Sequence, residues 1–296
     1  MARLFDAYVI VDWSAANKPT TGGDSIWIGV LKRDVRFRLT HAGHNLATRG
    51  EAEKFLAQLL ADFARRGEKV LVGFDFPLGF PRGTAAGLKL AEPAWSAMLS
   101  FVTKEIKDKP DNTNNRFQVA AKMNRLLTGE AFPFWGCPAR DEQTTLKAKR
   151  TRDHGAGDLP EFRFGEEAMK GVSSIWKLYY QGSVGGQALT GMPIIKRLRD
   201  ASGGKIKLWP FETGWRALTG ADLEGVEAVF AEVWPSMLPA KPENGEVKDA
   251  AQVRTLAAHF AALDEQSKLA ALFGPKKGQD AHAAIVEGEE GWILGA

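Results

Sequence analysis

The sequence contains a single cysteine, Cys137, among its 296 residues. One cysteine excludes an intrachain disulfide and every zinc site that is built on several cysteines. The five histidines do not group at metal-ligand spacings, and no Ser-His-Asp order stands out. We therefore expect neither zinc-dependent nor serine-dependent hydrolysis. Cys137 lies between aromatic residues and prolines, a setting typical of a small buried side chain, and we give it no catalytic role.

Long hydrophobic runs are also missing. The longest clear ones, 7–11 and 70–74, last about five residues, whereas a membrane helix needs roughly 20. Acids at Asp6 and Asp12 interrupt the N-terminal stretch, so it lacks the continuous apolar segment of a secretory signal. We expect a cytoplasmic protein with no membrane partner, and the sequence predicts no particular oligomeric state.

The apolar residues that are present predict an α/β fold. A capping box at Thr48 and Glu51 opens a clearly amphipathic helix. The middle of the chain, about 82–205, has no linker and no repeat, so we interpret residues 1–296 as a single domain with one long insertion. Within it, helical patterns occur near 93–106, 116–127 and 172–181. The predicted strands are 7–13, 25–31, 35–43, 70–76, 205–211 and 227–235, and a further helix is predicted at 248–264.

Two aspartates occupy the same position relative to their strands. Asp12 and Asp75 each end a five-residue apolar run, and each is followed by an aromatic residue and then by a small or turn-forming one. If the two strands are parallel neighbours, the carboxylates meet at one edge of the sheet. Like charges so close are unfavourable unless a cation lies between them, and Mg²⁺ or Mn²⁺ prefers such oxygen ligands. The pair therefore predicts a divalent metal site.

The third and fourth acids of such a site stay open on the residues alone. Glu232 and Glu212 both lie at the ends of candidate strands. Asp249 lies on the apolar stripe of the helix 248–264, and Asp280 opens a short helical turn near the C-terminus. Acids near a helix N-terminus are commonly structural, because they interact favourably with the helix dipole.

Several segments resemble a known family. They are GFDFPLGFP (73–81), AEVWPSML (231–238), and QDAHAA followed by EEGWIL (279–294). Together with the strand-end Asp12 they are similar to the family of domain of unknown function 429, described as predicted nucleases. The resemblance implies a ribonuclease H-like fold: a mixed five-stranded sheet flanked by helices, with a large insertion between the fourth and fifth strands. It also implies Asp12, Asp75, Glu232 and Asp280 as the catalytic and metal-binding acids, favouring Glu232 over Glu212 and Asp280 over Asp249.

Positive charge is concentrated in one part of the chain. Residues 104–152 hold eleven Lys and Arg against six Asp and Glu, although the whole chain carries only +3. Such a stretch could grip a phosphate backbone, with aromatic side chains of Trp135, Trp176 or Tyr179 stacking on bases. The candidate substrate-binding cations are Arg140, Lys147, Lys149, Arg150 and Arg152.

These features favour a hydrolase that uses Mg²⁺ or Mn²⁺ to cleave nucleic acid, a nuclease or phosphodiesterase. The alternative is a small-molecule enzyme or binding protein for a nucleotide or a phosphorylated cofactor precursor. In that case the glycine-rich segment 181–191, otherwise expected to be a flexible loop, would approach a phosphate through its backbone amides. A third hypothesis is a domain without catalysis. An open groove lined by Lys and Arg would indicate the nuclease, and an enclosed pocket beside the acids the small-molecule enzyme.

Overall fold

A mixed six-stranded sheet forms the centre of the protein in a computed structural model, which describes residues 3–167, 169, 171–243 and 245–296. The strand order is β3-β2-β1-β4-β6-β5. The strands are β1 (Ala7–Asp12), β2 (Ile26–Arg33), β3 (Leu39–Leu46), β4 (Val70–Phe74), β5 (Ile206–Leu208) and β6 (Ala228–Glu232).

The first three strands form the expected antiparallel meander, and the remaining strands run parallel to β1. β1 and β4 are buried along their length and lie side by side at the centre, as the continuous apolar runs predict. The sheet has six strands where the resemblance implies five. The short strand β5, three residues long, pairs with β6 and forms the far edge.

Helices cover both faces of this sheet. They are α1 (Arg49–Arg65), α2 (Thr84–Gly87), α3 (Ala94–Glu105), α4 (Arg116–Leu127), α5 (Phe164–Glu167), α6 (Gly185–Ala201), α7 (Lys248–Glu265) and α8 (Ala283–Ile285). Helix α1 begins with the predicted capping box, because the Thr48 side chain accepts from the Glu51 N–H and Glu51 reaches back to the backbone of Thr48.

Side chains of β1 alternate between two apolar cores. Ala7, Val9 and Val11 pack into a core with α1, α3, α4 and α6, and we call this side of the sheet the insertion face. Tyr8 and Ile10 pack with α7 and the C-terminal segment, and we call this side the α7 face. The long segment between β4 and β5 therefore packs into the same core as the central strands.

Two predicted elements differ from the structure. The strand predicted at 35–43 begins only at Leu39, because Asp34 accepts hydrogen bonds from the N–H groups of Arg36 and Arg38 and closes a turn. Val35 is consequently 97% exposed. The helical pattern at 172–181 is not a helix. The helix instead occupies 185–201 and begins within the glycine-rich segment 181–191, which is expected to be a loop.

Candidate functional site

Asp12 and Asp75 lie side by side at the carboxyl edge of the sheet. β1 and β4 are adjacent and parallel, and Val11 pairs with Phe74, so the next residue on each strand is an aspartate. Side-chain alternation from Ile10 directs Asp12 to the α7 face, whereas Asp75 follows the last residue of β4 and contacts α6 through Gln187. The two carboxyl groups interact, because the charge of Asp75 and a hydrogen bond between the two side chains both act on the pKa of Asp12. The juxtaposition predicted from the two strand ends is thus present.

Because the two carboxyl groups are close together and buried, the pair retains a proton at a higher pH than an isolated aspartate would. Burial, together with the charge of Asp75, raises the pKa of Asp12 well above its usual range. Burial likewise raises the pKa of Asp75 to about 6, although hydrogen bonds from Asp12 and from the Trp13 N–H act in the opposite direction. Two carboxylates at this distance share one proton unless a cation takes its place.

Asp75 is held in place from two sides. The Trp13 N–H donates to its Oδ1 at 2.8 Å, and Gln187 Nε2 donates to its Oδ2 at 3.1 Å and also to the Trp13 carbonyl. Gln187 lies in the first turn of α6, which approaches closely because a Cβ on Gly191 would lie 2.2 Å from the Phe76 ring. Sequence reasoning missed Gln187, since the glycine-rich segment gave no helical pattern there.

Two further acids surround Asp12. Asp249, in the first turn of α7, accepts the Asp24 N–H at 2.8 Å, and the negative charges of both residues raise the pKa of Asp12. Asp280, which the resemblance favours, is exposed and begins a single 3-10 turn, Asp280–His282. The structure therefore places Asp249 rather than Asp280 among the charges that act on Asp12.

Glu232 ends β6 at the same edge, but its side chain belongs to the insertion face. It pairs in register with Phe74, one residue before Asp75. Arg163 Nη1 and Nη2 bind its two oxygens at 2.7 and 2.6 Å, and both side chains are almost fully buried. The Leu78 N–H also donates to it, at 3.2 Å. Glu232 is thus an ion-paired residue. Together with Asp75 it lines a cavity of about 30 Å³, which has room for little more than a water molecule.

Glu212, the competitor of Glu232, is ion-paired as well. Arg199 Nη2 binds its Oε1 at 2.6 Å, and the Leu208 N–H donates to its Oε2 at 3.0 Å. Both glutamates therefore hold chain segments together. Cys137 is fully buried, and burial raises the pKa of its thiol to about 11, which fits the absence of a catalytic role.

Most of the five candidate substrate-binding cations are neutralised within the chain. Arg150 makes a bidentate ion pair with Glu161 at 3.0 and 2.8 Å. Arg152 does the same with Asp158 at 2.7 and 3.0 Å. Lys147 and Arg140 lie 3.7 Å from Glu142 and Asp141, and in the described part of the chain only Lys149 of the five has no ion pair. Four of the five candidate substrate-binding cations are therefore engaged by acids of the chain.

The candidate stacking aromatics differ in exposure. Trp176 is fully buried and its Nε1 donates to the Pro160 carbonyl at 2.9 Å, so it belongs to the core and cannot stack on a base. Tyr179 is 40% exposed and contacts Tyr180, with ring centroids 4.9 Å apart. Trp135 is partly buried and packs against the core on the insertion face.

The donor set at Asp12 and Asp75 fits one hard cation rather than a closed metal cage. Among the residues described, no group of three or more His, Cys, Asp and Glu side chains lies close enough to hold a metal ion. Mg²⁺ is commonly bound by one or two carboxylates, with water and substrate phosphate supplying the other oxygens. The Asp12–Asp75 pair meets that requirement, and the four-acid cluster implied by the resemblance is not assembled.

Comparison of the chain with known protein families, with curated proteins and with solved structures gave no match. The resemblance to the family of domain of unknown function 429 accordingly stays a prediction. None of the helices in the described residues has the length and apolar character needed to cross a membrane.

Proposed function

We propose that the chain is a ribonuclease H-like hydrolase that cleaves phosphoesters with Mg²⁺ or Mn²⁺ at Asp12 and Asp75. The observation that carries this proposal is the in-register pair of carboxylates at the ends of two adjacent parallel strands, without an ion-pair partner among the residues that the structure describes. In the described residues neither aspartate has an ion pair, although the glutamates nearby do. The meander β1–β3 followed by β4 beside β1 supports the fold assignment.

The chain's own residues would position the reaction. Trp13 and Gln187 fix the two oxygens of Asp75, and Asp12 lies beside it with a raised pKa. A protonated Asp12 can pass its proton to water when a cation enters, and as a carboxylate it can then accept a proton from an attacking water. A bound divalent ion would supply Lewis acidity to the phosphoryl oxygen.

Substrate size separates two versions of this function. A nuclease needs a groove with free cations, whereas Arg150 and Arg152 are paired with Glu161 and Asp158. These ion pairs favour the second candidate, an enzyme for a nucleotide or another small phosphorylated molecule. Nucleic acid stays the first expectation of the resemblance, and the salt dependence of binding decides between them.

The test combines Mn²⁺ binding with hydrolysis of bis(p-nitrophenyl) phosphate and p-nitrophenyl phosphate. We expect Mn²⁺-dependent release of p-nitrophenol from the native chain, reduced by roughly 100-fold or more in Asp12→Asn and Asp75→Asn. Asp222→Asn is the matched control, because Asp222 makes a surface ion pair with Arg216. Calorimetric titration of Mn²⁺ should show the same division between the variants.

Two results would contradict the proposal. One is equal Mn²⁺ affinity in Asp75→Asn and in the native chain. The other is hydrolysis that survives both Asp12→Asn and Asp75→Asn, since activity would then arise elsewhere. Thermal unfolding of each variant checks that lost activity does not reflect lost structure.

A further inference from the structure

Arg116 is a buried cation without a carboxylate partner. It is 3% exposed, and its Nη1 donates to the neutral side chains of Asn17 and Asn114. Its Nε has no hydrogen-bond partner, and within the residues described Arg116 makes no ion pair. Arg49, equally buried, binds Asp108 at 2.5 and 2.7 Å. Burying an unpaired charge is costly, so Arg116 requires an explanation that Arg49 does not.

The guanidinium lies against the first turn of α6. A Cβ on Gly186 would lie 3.3 Å from Arg116 Nε and 3.1 Å from the Ala15 Cβ, so the absence of a side chain permits this approach. The first N–H groups of a helix have no acceptor within it, and α6 has 17 residues. The Gly185 N–H donates to the Lys177 carbonyl at 2.9 Å, which leaves the N–H groups of Gly186 and Gln187 to act on an anion. The Arg116 guanidinium and the N-terminal end of α6 thus lie next to each other, an arrangement that attracts an anion.

The same turn also reaches the candidate catalytic pair. Gln187, the residue after Gly186, donates to Asp75 and to the Trp13 carbonyl. The loop that follows Asp12 is bound at Asn17 by Arg116. Consecutive residues of α6 therefore touch Asp75 on one side and Arg116 on the other, which brings the positive groups next to the carboxylates.

We propose that Arg116 and the first turn of α6 bind a phosphate group of the substrate beside Asp12 and Asp75. The inference rests on the proposed function, since this phosphate would belong to the phosphoester that is cleaved. A planar guanidinium with a free Nε matches two oxygens of a phosphate, and the helix amides supply further donors. Approach of the anion to Nε requires a small outward shift of the loop 14–17, because Nε is closed off from solvent.

The experiment titrates inorganic phosphate into the full chain in the presence of EDTA. We expect saturable binding, with shifts of the Gly186 and Gln187 backbone amide signals in ¹H–¹⁵N spectra. Arg116→Gln should weaken the affinity roughly tenfold or more, and Arg116→Lys should retain part of it. Arg197→Gln is the matched control, because Arg197 lies on the same helix and pairs with Glu53 at the surface.

Asp75→Asn separates this inference from the proposed function. Removing the negative charge of Asp75 should strengthen phosphate binding, whereas the same change should abolish Mn²⁺ binding. Phosphate binding without Mn²⁺ binding would contradict the proposed function alone. Absence of saturable phosphate binding to the native chain, or binding that shifts amides other than those of Gly186 and Gln187, would overturn the inference even if Mn²⁺ binds. That readout needs no variant, so an Arg116→Gln chain that fails to fold does not remove the test.

Discussion

The carboxyl edge of the sheet carries two groups of acids, and the chain supplies a counter-charge to only one of them. At the ends of β1 and β4, Asp12 and Asp75 lie together, and neither has an ion pair within the described chain. On the insertion face, Arg163 lies between Glu166 and Glu232 and binds both. One group has the charge of an arginine built into it, and the other lacks any such charge.

The difference separates architecture from chemistry. A buried arginine that is fully hydrogen-bonded by two glutamates ties α5 to β6 and needs nothing further. Two carboxylates that share a proton still lack a counter-charge, because a cation or a second proton would lower their free energy. The location of an acid at a strand end is therefore a weaker indicator of function than the absence of its counter-charge.

The largest expected effect comes from breaking the paired group. Arg163→Met leaves Glu166 and Glu232 buried without a counter-charge, and we expect a loss of about 3–5 kcal/mol in the free energy of unfolding. Urea denaturation measures it. Arg150→Met is the control, because its pair with Glu161 is partly exposed, and such pairs contribute about 0–1 kcal/mol. Equal losses in the two variants would mean that the Arg163 network is no stronger than a surface pair.

The unpaired group should give the opposite response, a gain of stability on neutralisation. In the metal-free chain the folded state raises the pKa of Asp75 from 3.8 to about 6. The folded form thus binds this proton more tightly than the unfolded form, and its contribution to stability is full below 3.8 and lost as pH rises through about 6. The loss is about 3 kcal/mol.

Asp75→Asn provides the measurement. Other carboxyl groups titrate in both chains, so the difference between their stability curves from pH 4 to pH 7.5 isolates the Asp12–Asp75 pair. We expect the variant to gain stability relative to the native chain as the pH rises. A difference that is flat, or that has the opposite slope, would show that the pKa of Asp75 is not raised and that the two aspartates share no proton.

The comparison also shows how far sequence patterns reach. Apolar runs that end in Asp12 and Asp75 predict two central strands, and their parallel register follows because each run ends at the same edge. The pattern around Glu232 predicts its strand equally well. It does not give the face, because a shift of one residue in register exchanges the two sides of a strand. Only the structure shows that Glu232 is bound by Arg163, although it lines the same small cavity as Asp75.

The remaining differences come from tertiary packing that overrides local pattern. Gly185 and Gly186 suggest a loop, yet they begin α6. A Cβ on Gly185 would lie 2.0 Å from the Ile175 carbonyl oxygen, so only glycine fits at this helix start. This steric requirement for glycine leaves no trace in the spacing of apolar residues along the sequence. Gln187 and Arg116 could be recognised only once this turn was placed beside Asp75.

A smaller effect distinguishes the two candidate acids from the C-terminal part of the chain. Asp249 acts on the charge of Asp12, whereas Asp280 is exposed in a 3-10 turn. We expect Asp249→Asn to weaken Mn²⁺ binding several-fold, since a charge a few ångströms from the ion contributes about 1 kcal/mol. Asp280→Asn should leave the affinity unchanged. Calorimetric titration of Mn²⁺ into both variants measures the two affinities. A larger loss of affinity in Asp280→Asn than in Asp249→Asn would support the assignment that the resemblance implies.

The smallest effect concerns the basic stretch. If the chain binds nucleic acid, each phosphate neutralised by a lysine or arginine contributes roughly −0.7 to −0.9 to the slope of log affinity against log salt. Lys147 and Arg150 are engaged by Glu142 and Glu161. Replacing Lys147, Lys149 and Arg150 together by Ala should therefore change the slope by less than about one phosphate's share, mostly through Lys149.

Binding of a fluorescent single-stranded and double-stranded DNA at several salt concentrations measures that slope, with Lys205→Ala as a control because Lys205 pairs with Glu227 at the surface. A slope reduced by about two phosphates or more would show that the internal ion pairs open on binding, and it would favour the nuclease. A slope that does not change, with weak affinity throughout, is what the paired arginines predict. The unpaired charge of Asp12 and Asp75 would then serve a small phosphorylated substrate, because such a substrate needs only the anion site at Arg116 and not a groove.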